Sequence, residues 1–417
     1  MQYVIIGSSA AGISAVSAIR ELDPKNSIIM ISKDKQIYSR CQLPEIITGE
    51  RTLKESCFIP ANFFEKYRVK WIDDTGVTHI NTDAHVVETN NGQKITFDRL
   101  LIATGASSFF PPIDNLQKGR QICGLRNIDD ALQIVDYAHD MKKAVIIGAG
   151  LVGVEAALAL NDLGLKVTLV ENASHILPLQ LDQTAAGNYE RLLNEHQINI
   201  YTNEIVTKIH LDEKQNVTHV ELKSGVILPA DLIIVATGIT PNIQFLDHVP
   251  IKINRGIIVN EKQETSIPNI YAAGDVCAST ESFTAKITPT PIWPLAIEQG
   301  RIAGTNMAGG NKQRTINFAY KNSMNLFGLS TISYGFTEAP NENYTTHIQF
   351  ERGSYKKLII KDGILFGAIF QGDISGAGIY GKLIAEKISI NSLPPERLFS
   401  ISYANFFNQQ ENGLYRY

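Results

Sequence analysis

Two glycine-rich turns of one design, GSSAAG at Gly7 to Gly12 and GAGLVG at Gly148 to Gly153, each separate a short apolar run from a helix-like run. The runs that feed them, YVII before Gly7 and AVII before Gly148, are short and β-branched, as buried parallel strands are. Such a turn brings the backbone close to a pyrophosphate and aims a helix N-terminus at it, which requires glycine's missing side chain and the helix dipole. Gly12 and Gly153, in third position, allow the helix to pack closely on the strand. One such turn is a weak signal. Two in one chain, each followed by a second strand at the right distance, point to two bound dinucleotides.

The second strands distinguish the two units. KVTLVEN ends in Glu171, where an acid hydrogen-bonds adenosine ribose hydroxyls, and Asn172, Ala173 and Ser174 follow it without an arginine. Gly148, Gly150, Gly153 and Glu171 therefore form a complete fingerprint favouring NAD over NADP. The first unit is looser, with Ser9 in place of the middle glycine and the strand SIIMIS ending in Ser32, Asp34 lying two residues on. Gly7, Ser9, Ala11, Gly12, Ser32 and Asp34 are its expected cofactor contacts.

At 417 residues the chain has room for two or three domains with substantial cores. A net charge of −4 leaves no basic footprint for nucleic acid. The four cysteines, Cys41, Cys57, Cys123 and Cys277, form no CxxC or CxxxxC, which excludes a sequence-adjacent redox pair and a recognisable zinc knuckle, so no metal site is expected. Met1 runs straight into the first strand and no apolar run reaches membrane-spanning length. The expectation is a soluble, cytoplasmic protein with no membrane partner.

From His79 to Ala106 apolar and polar residues alternate, break at Asn90, Asn91 and Gly92, and resume, predicting a hairpin or meander that ends in a buried strand. The prolines of FFPPID mark a linker, and ADLIIVATGITPN then repeats the earlier exit, making Ala103-Thr104-Gly105 and Ala236-Thr237-Gly238 internal-repeat partners. A later strand, Ile270 to Ala273, ends at Gly274 and Asp275; the aspartate either accepts hydrogen bonds from a ligand lying across the sheet or caps a following helix. The last hundred residues read as a hairpin turning at Asp362-Gly363, a closing helix and an aromatic tail of Tyr403, Phe406, Phe407, Tyr415 and Tyr417. The predicted fold class is α/β: two Rossmann-like dinucleotide-binding domains, one inserted in the other, plus a small C-terminal α+β domain. Its boundaries fall at 1–108 with 240–312, at 109–239, and at 313–417.

The ordered set GSSAAG, ATGA, GAGLVGVE, ATGITPN and YAAGDV resembles the two-dinucleotide flavoprotein reductases of the pyridine nucleotide-disulfide oxidoreductase class. The resemblance implies FAD in the first unit and NADH in the second. It sets Gly274 and Asp275 at the FAD ribityl chain, Ala103, Thr104 and Gly105 along the flavin nucleotide, Gly238 at the equivalent exit, and Trp293 to Gly300 facing the isoalloxazine. In Tyr38-Ser39-Arg40 it brings Arg40 to the FAD pyrophosphate, as a planar guanidinium suits. YKKLIIKDGILFGAIFQGD is similar to the C-terminal domain of NADH:rubredoxin reductases and of the flavoprotein portion of NADH-dependent nitrite reductases. Cys41-Gln42-Leu43-Pro44 is similar instead to the redox-cysteine setting of coenzyme A-disulfide reductases. Three positions depart from the relatives: Ala10 where peroxidases and oxidases carry histidine, Leu151 where several gate the nicotinamide pocket with tyrosine, and Glu45 where ferredoxin-reductase-like members place a lysine near the flavin.

These residues imply an NADH-dependent FAD reductase passing electrons to rubredoxin or another iron–sulfur protein, either alone or as the diaphorase subunit of a larger oxidoreductase complex. The alternative is a coenzyme A-disulfide or persulfide reductase in which Arg40 and the flavin stabilise a Cys41 thiolate. Cys41 also fits a small buried apolar role. Glu155, one turn inside its helix, either orients the nicotinamide carboxamide or is an acid held by the helix dipole.

Overall fold

The computed structural model describes residues 1–281, 286–314, 321–406, 408–409 and 415–416. Phe407 and Tyr417 of the aromatic tail lie outside them. Seven helices are used below: α1 (Ala10–Leu22), α2 (Leu43–Thr48), α3 (Ile128–Asp140), α4 (Leu151–Asp162), α5 (Gln183–Glu195), α6 (Trp293–Met307) and α7 (Ala377–Glu386).

Two five-stranded parallel sheets repeat one plan. The first runs, edge to edge, Ile270–Ala272, Arg99–Ile102, Gln2–Ile6, Ser27–Ile31 and Val69–Ile72. The second runs Ile122–Cys123, Leu232–Val235, Lys143–Ile147, Lys166–Val170 and Asn199–Tyr201. In each, the strand before the glycine turn sits between its βαβ partner and the strand that leads into the ATG exit. That is where the strand order reverses, and open α/β sheets hold ligands in the crevice beyond such a reversal. Each unit also carries a three-stranded antiparallel meander, residues 77–96 in the first and 206–229 in the second.

The two units are joined twice, side by side. Ala106–Ser108 leaves the first unit and Ile239–Pro241 returns to it, and the two segments pair antiparallel. Asn242 stitches them: its side chain donates to the Thr104 carbonyl at 3.0 Å and accepts from the Ser107 hydroxyl at 2.7 Å, while the Thr104 hydroxyl donates to the Asn242 carbonyl at 2.8 Å. On the second unit the matching Thr237 hydroxyl donates to the Phe109 carbonyl at 2.8 Å.

Helix packing sets the first crevice. A Cβ on Gly300 would lie 2.1 Å from the Ala11 carbonyl oxygen and one on Gly304 2.4 Å from that of Ala15, so α6 rests directly on the α1 backbone. Helix α2 crosses between the units, since Leu43, Ile46 and Ile47 pack with Ala131, Ile134 and Val154 in the core of the second, although they fall within the expected span of the first.

Beyond residue 320 a five-stranded antiparallel sheet orders Lys321–Leu326, Leu329–Gly335, Ile364–Gln371, Ser354–Lys361 and Thr345–Glu351, with α7 packed on it. The central hairpin turns at Asp362 and Gly363, both with positive φ (51° and 70°), the primed geometry that matches strand twist. Among the described residues no helix is long and apolar enough to cross a membrane, and no group of three His, Cys, Asp or Glu side chains is arranged to hold a metal ion.

Candidate functional site

The two glycine turns are superimposable in their constraints. Gly7 and Gly148 have φ of 112° and 99°, and a Cβ on either would collide with the carbonyl oxygen of its own exit alanine, Ala103 at 2.1 Å or Ala236 at 2.5 Å. A Cβ on Gly12 or Gly153 would lie 2.0 Å from the carbonyl oxygen of Gly7 or Gly148. Ser9 and Gly150 are the N-caps of α1 and α4, and neither helix has a side-chain cap. The first-turn N–H groups, partnerless within an isolated helix, thus face out of the turn as an anion cradle. A Cβ on Gly105, Gly150 or Gly238 would meet nothing within 4 Å, so the backbone there fronts open space. Uncapped helix ends beside bare backbone fit two pyrophosphates.

Each turn is braced by the residue ending its second strand. Glu171 accepts from the Ala149 N–H at 2.7 Å through one oxygen and from the Ala173 N–H at 2.8 Å through the other, which leaves lone pairs for ribose hydroxyls. Ser32 holds the matching place, where its buried hydroxyl accepts from the Ser8 hydroxyl at 2.8 Å and from the Asp34 N–H at 3.1 Å. Through these two hydrogen bonds Ser32 braces the turn from inside the protein.

Asp34, Arg40 and Asp275 come together around a residue the sequence reading passed over, Arg126. Arg40 makes a 2.8 Å ion pair with Asp34 and donates to the Tyr38 hydroxyl and the Arg126 carbonyl, each at 3.0 Å. The Arg126 guanidinium pairs with Asp275 and reaches the Ala106 carbonyl at 3.4 Å. Burial and the neighbouring Arg40 charge pull the Arg126 guanidinium down to about 10. After Asp275 the chain continues into a strand, Cys277–Thr280, leaving no helix for that aspartate to cap. The signal for Arg126 was its place directly before the capping box of α3, in which Asn127 accepts from the Asp130 N–H and Asp130 answers to the Asn127 N–H.

A cleft between the two units is lined by Arg40, Leu43, Pro44, Leu125, Arg126, Val152 and Glu155. Cys41, next in sequence to the cleft residue Arg40, is exposed, yet the surrounding protein desolvates it and, with the Glu155 carboxylate, pushes its thiol above the usual range; Arg126 opposes the shift. Arg40, the expected stabiliser of a thiolate, is ion-paired with Asp34. Glu155 opens onto the cleft from α4, and the encircling protein together with Glu45 pushes its carboxyl up to about 7. Trp293 starts α6 and meets Phe58 edge-on, ring centres 5.1 Å apart. Cys123 and Cys277 are buried in the cores, whereas Cys57 is exposed and its thiol donates to the Ile59 carbonyl.

Residues 1–300 match the pyridine nucleotide-disulphide oxidoreductase family, and residues 321–388 match the rubredoxin NAD+ reductase C-terminal domain. The epsilon subunit of NADH-dependent phenylglyoxylate dehydrogenase from Aromatoleum evansii is 30% identical over 396 residues, 94% of this chain and 93% of that protein. The assimilatory nitrate reductase electron transfer subunit of Bacillus subtilis (strain 168) is 30% identical over 375 residues; these cover 89% of this chain but only 48% of that protein, so the chain spans about half its length. Among solved structures, an NAD-dependent persulfide reductase from A. fulgidus superimposes with a TM-score of 0.86 at 28% identity, covering 94% of this chain and 78% of that one.

Proposed function

The chain belongs to the pyridine nucleotide-disulphide oxidoreductase family, and we propose that it takes a hydride from NADH onto FAD and delivers the electrons singly to rubredoxin or another iron–sulfur protein. The observation that carries this reading is the C-terminal module, residues 321–388, whose match is to the rubredoxin NAD+ reductase domain. Two relatives that cover most of this chain are electron-transfer or dehydrogenase subunits, which supports service within a larger complex.

In this reading residues 1–108 and 240–312 hold FAD, residues 109–239 hold NADH, and residues 313–417 form the module that meets the partner. FAD supplies the exchange between hydride and single-electron chemistry. The protein's part is to bind and orient. Gly7, Ser9, Ala11 and Gly12 offer the α1 N-terminus to one pyrophosphate, with Arg40 and Arg126 as the cations beside it, and Gly148, Gly150 and Gly153 offer the α4 N-terminus to the other. Glu171 selects a ribose with free hydroxyls. Asp275, Ala103, Thr104, Gly105 and Gly238 border the crevices, and Trp293 closes one end.

The test is an anaerobic NADH titration of wild type and Cys41→Ser, followed by mixing with oxidised rubredoxin. One equivalent of NADH should reduce each protein fully, and each should then reduce rubredoxin. A second equivalent needed by the wild type alone, with a long-wavelength band that Cys41→Ser lacks, would sink this reading in favour of thiol chemistry. That second reading, persulfide or coenzyme A-disulfide reduction through Cys41, is favoured by the solvent exposure of Cys41 next to Arg40 and by the A. fulgidus likeness.

A further inference from the structure

Ala149, the middle residue of the second glycine turn, is held on both sides by the segment that follows its strand. Its N–H donates to Glu171, and its carbonyl accepts from the Leu177 N–H at 2.8 Å. The preceding N–H, that of Ile176, donates to Glu190 on α5 at 3.1 Å. Two consecutive peptide groups thus bridge the glycine turn and that helix. The backbone is left-handed where they meet: Leu177 has a φ of 52° and is 1% exposed. Among the described non-glycine residues with φ in this region, only Leu177 and Phe327 are apolar, and Phe327 is exposed. A bulky side chain stays in that conformation only where its surroundings over-determine it.

The same segment runs straight into the seam with the C-terminal sheet. The Leu177 carbonyl accepts from the N–H groups of Gln180 and Leu181 at 2.9 and 3.0 Å, so a single tight turn separates it from Asp182, the cap of α5. Asp182 accepts from the Tyr355 hydroxyl and the Lys357 ammonium, and one turn further Asn188 donates to Gln371 at 2.7 Å, while Tyr189 reaches the Leu329 carbonyl. A seam bonded by this many polar side chains resembles the interfaces between domains that move more than a permanent core.

We propose that the crossing at Ile176 and Leu177 couples the two ends of this segment, so that NADH on the Gly148 turn tightens the docking of the C-terminal module on α5. The inference rests on the reading of that turn as the NADH site. In the held state Leu177 is left-handed, its N–H is on Ala149, the Ile176 N–H is on Glu190, and Asp182 is in place for the sheet. In the released state Leu177 returns to an ordinary backbone and these bonds part together. A dinucleotide that orders the turn fixes the Ala149 carbonyl and with it the held state, so the segment is ordered once for both sites. The linkage is reciprocal, and a docked module prepares the turn for NADH. The module proposed to meet the electron carrier is then firmest when the electron donor is bound.

The test is hydrogen–deuterium exchange read by mass spectrometry on the full-length, FAD-loaded, oxidised protein, with and without saturating NAD+, which occupies the site without reducing the flavin. In the wild type NAD+ should slow exchange in residues 148–153 and, by about threefold or more, in the sheet strands of residues 354–371. Glu190→Ala removes the Ile176 bond and touches neither the glycine turn nor the sheet, so it should keep the first protection and lose the second. A wild-type sheet that ignores NAD+ while the turn is protected overturns the coupling, as does a Glu190→Ala protein that still transmits it. Protection of neither region strikes the NADH assignment of the turn, and the coupling falls with it.

Reciprocity gives a second arm that needs no exchange data. Asn188→Ala alters only the seam, yet NAD+ binding measured by calorimetry should weaken by about fivefold, the lower end of ordinary coupling between sites. Unchanged NAD+ affinity in Asn188→Ala overturns the proposal while leaving the NADH site itself in place.

Discussion

Lys357 and Asp182 lie 175 residues apart in sequence, yet their side chains form a 3.0 Å ion pair, each almost fully buried. Asp182 also caps α5 through the Ala185 N–H and accepts from the Tyr355 hydroxyl, while Lys357 reaches Glu338 at 2.7 Å. One carboxylate thus fastens the C-terminal sheet to a helix of the second unit. Gln371, donating to the Ala185 carbonyl at 3.0 Å, and Tyr189, donating to the Leu329 carbonyl at 2.8 Å, add to the same seam.

Removing one partner of a buried pair leaves the other charge uncompensated, so Lys357→Met should destabilise the protein by about 3 to 5 kcal/mol in denaturant unfolding. Asp182→Asn keeps a good cap. The double variant should therefore recover much of the loss; strict additivity of the two single effects would show that the pair is not coupled.

Gly153→Ala should spare FAD and damage NADH use. The added methyl would lie 2.0 Å from the Gly148 carbonyl oxygen and push α4 off its strand, while the first turn is untouched. The expected result is a yellow protein with normal FAD content whose reduction by NADH is slowed at least tenfold in stopped-flow mixing. Gly12→Ala, which meets the Gly7 carbonyl oxygen at the same distance, should give the converse, a chain that loses FAD on gel filtration.

The Cys41 thiol is raised by burial and by Glu155, so its thiolate is scarcer at neutral pH than that of a free cysteine. Alkylation of Cys41 by iodoacetamide, followed by peptide mass spectrometry, should therefore accelerate only above the ordinary thiol range. In Glu155→Gln the rise should come at lower pH, since a charge opposing the thiolate is gone. An unchanged profile would mean that the two groups do not sense each other.

Arg126→Met would strip Asp275 of its partner and remove a cation from the first crevice. A hydrogen bond to a charged group contributes about 1.5 to 3 kcal/mol. FAD affinity, measured by fluorescence quenching on the apoprotein, should accordingly fall about tenfold or more; undiminished affinity would place this arginine outside the FAD site.

The glycine turns, their strands and the exit repeats were legible because each is a local rule: Gly7 and Gly148 are demanded by positive φ and by a carbonyl oxygen 2.1 or 2.5 Å from where a Cβ would lie. Asp362 and Gly363 announced their hairpin for the same reason. Glu171 was legible because its distance from the turn is fixed by one helix and one strand. Ser32 occupies the same position, but its short side chain reaches only as far as Ser8, which no spacing rule discloses. Arg126 was hidden for a different reason: the capping box behind it marks only a helix start, while its pairing with Asp275 joins distant parts of the chain and leaves no period in the sequence. The Lys357–Asp182 pair is of that kind too.

The antiparallel pairing of Ala106–Ser108 with Ile239–Pro241 makes the second unit a cassette. Its two ends emerge next to each other, so threading it into the first unit demands almost no extra loop closure, and neighbouring ends are what make domain insertion tolerable. A short turn joining residue 108 to residue 239 would close the gap with the ribbon's register kept. The second unit can in this way be lost or replaced at the ribbon while the first unit's parallel sheet and glycine turn stay as they are.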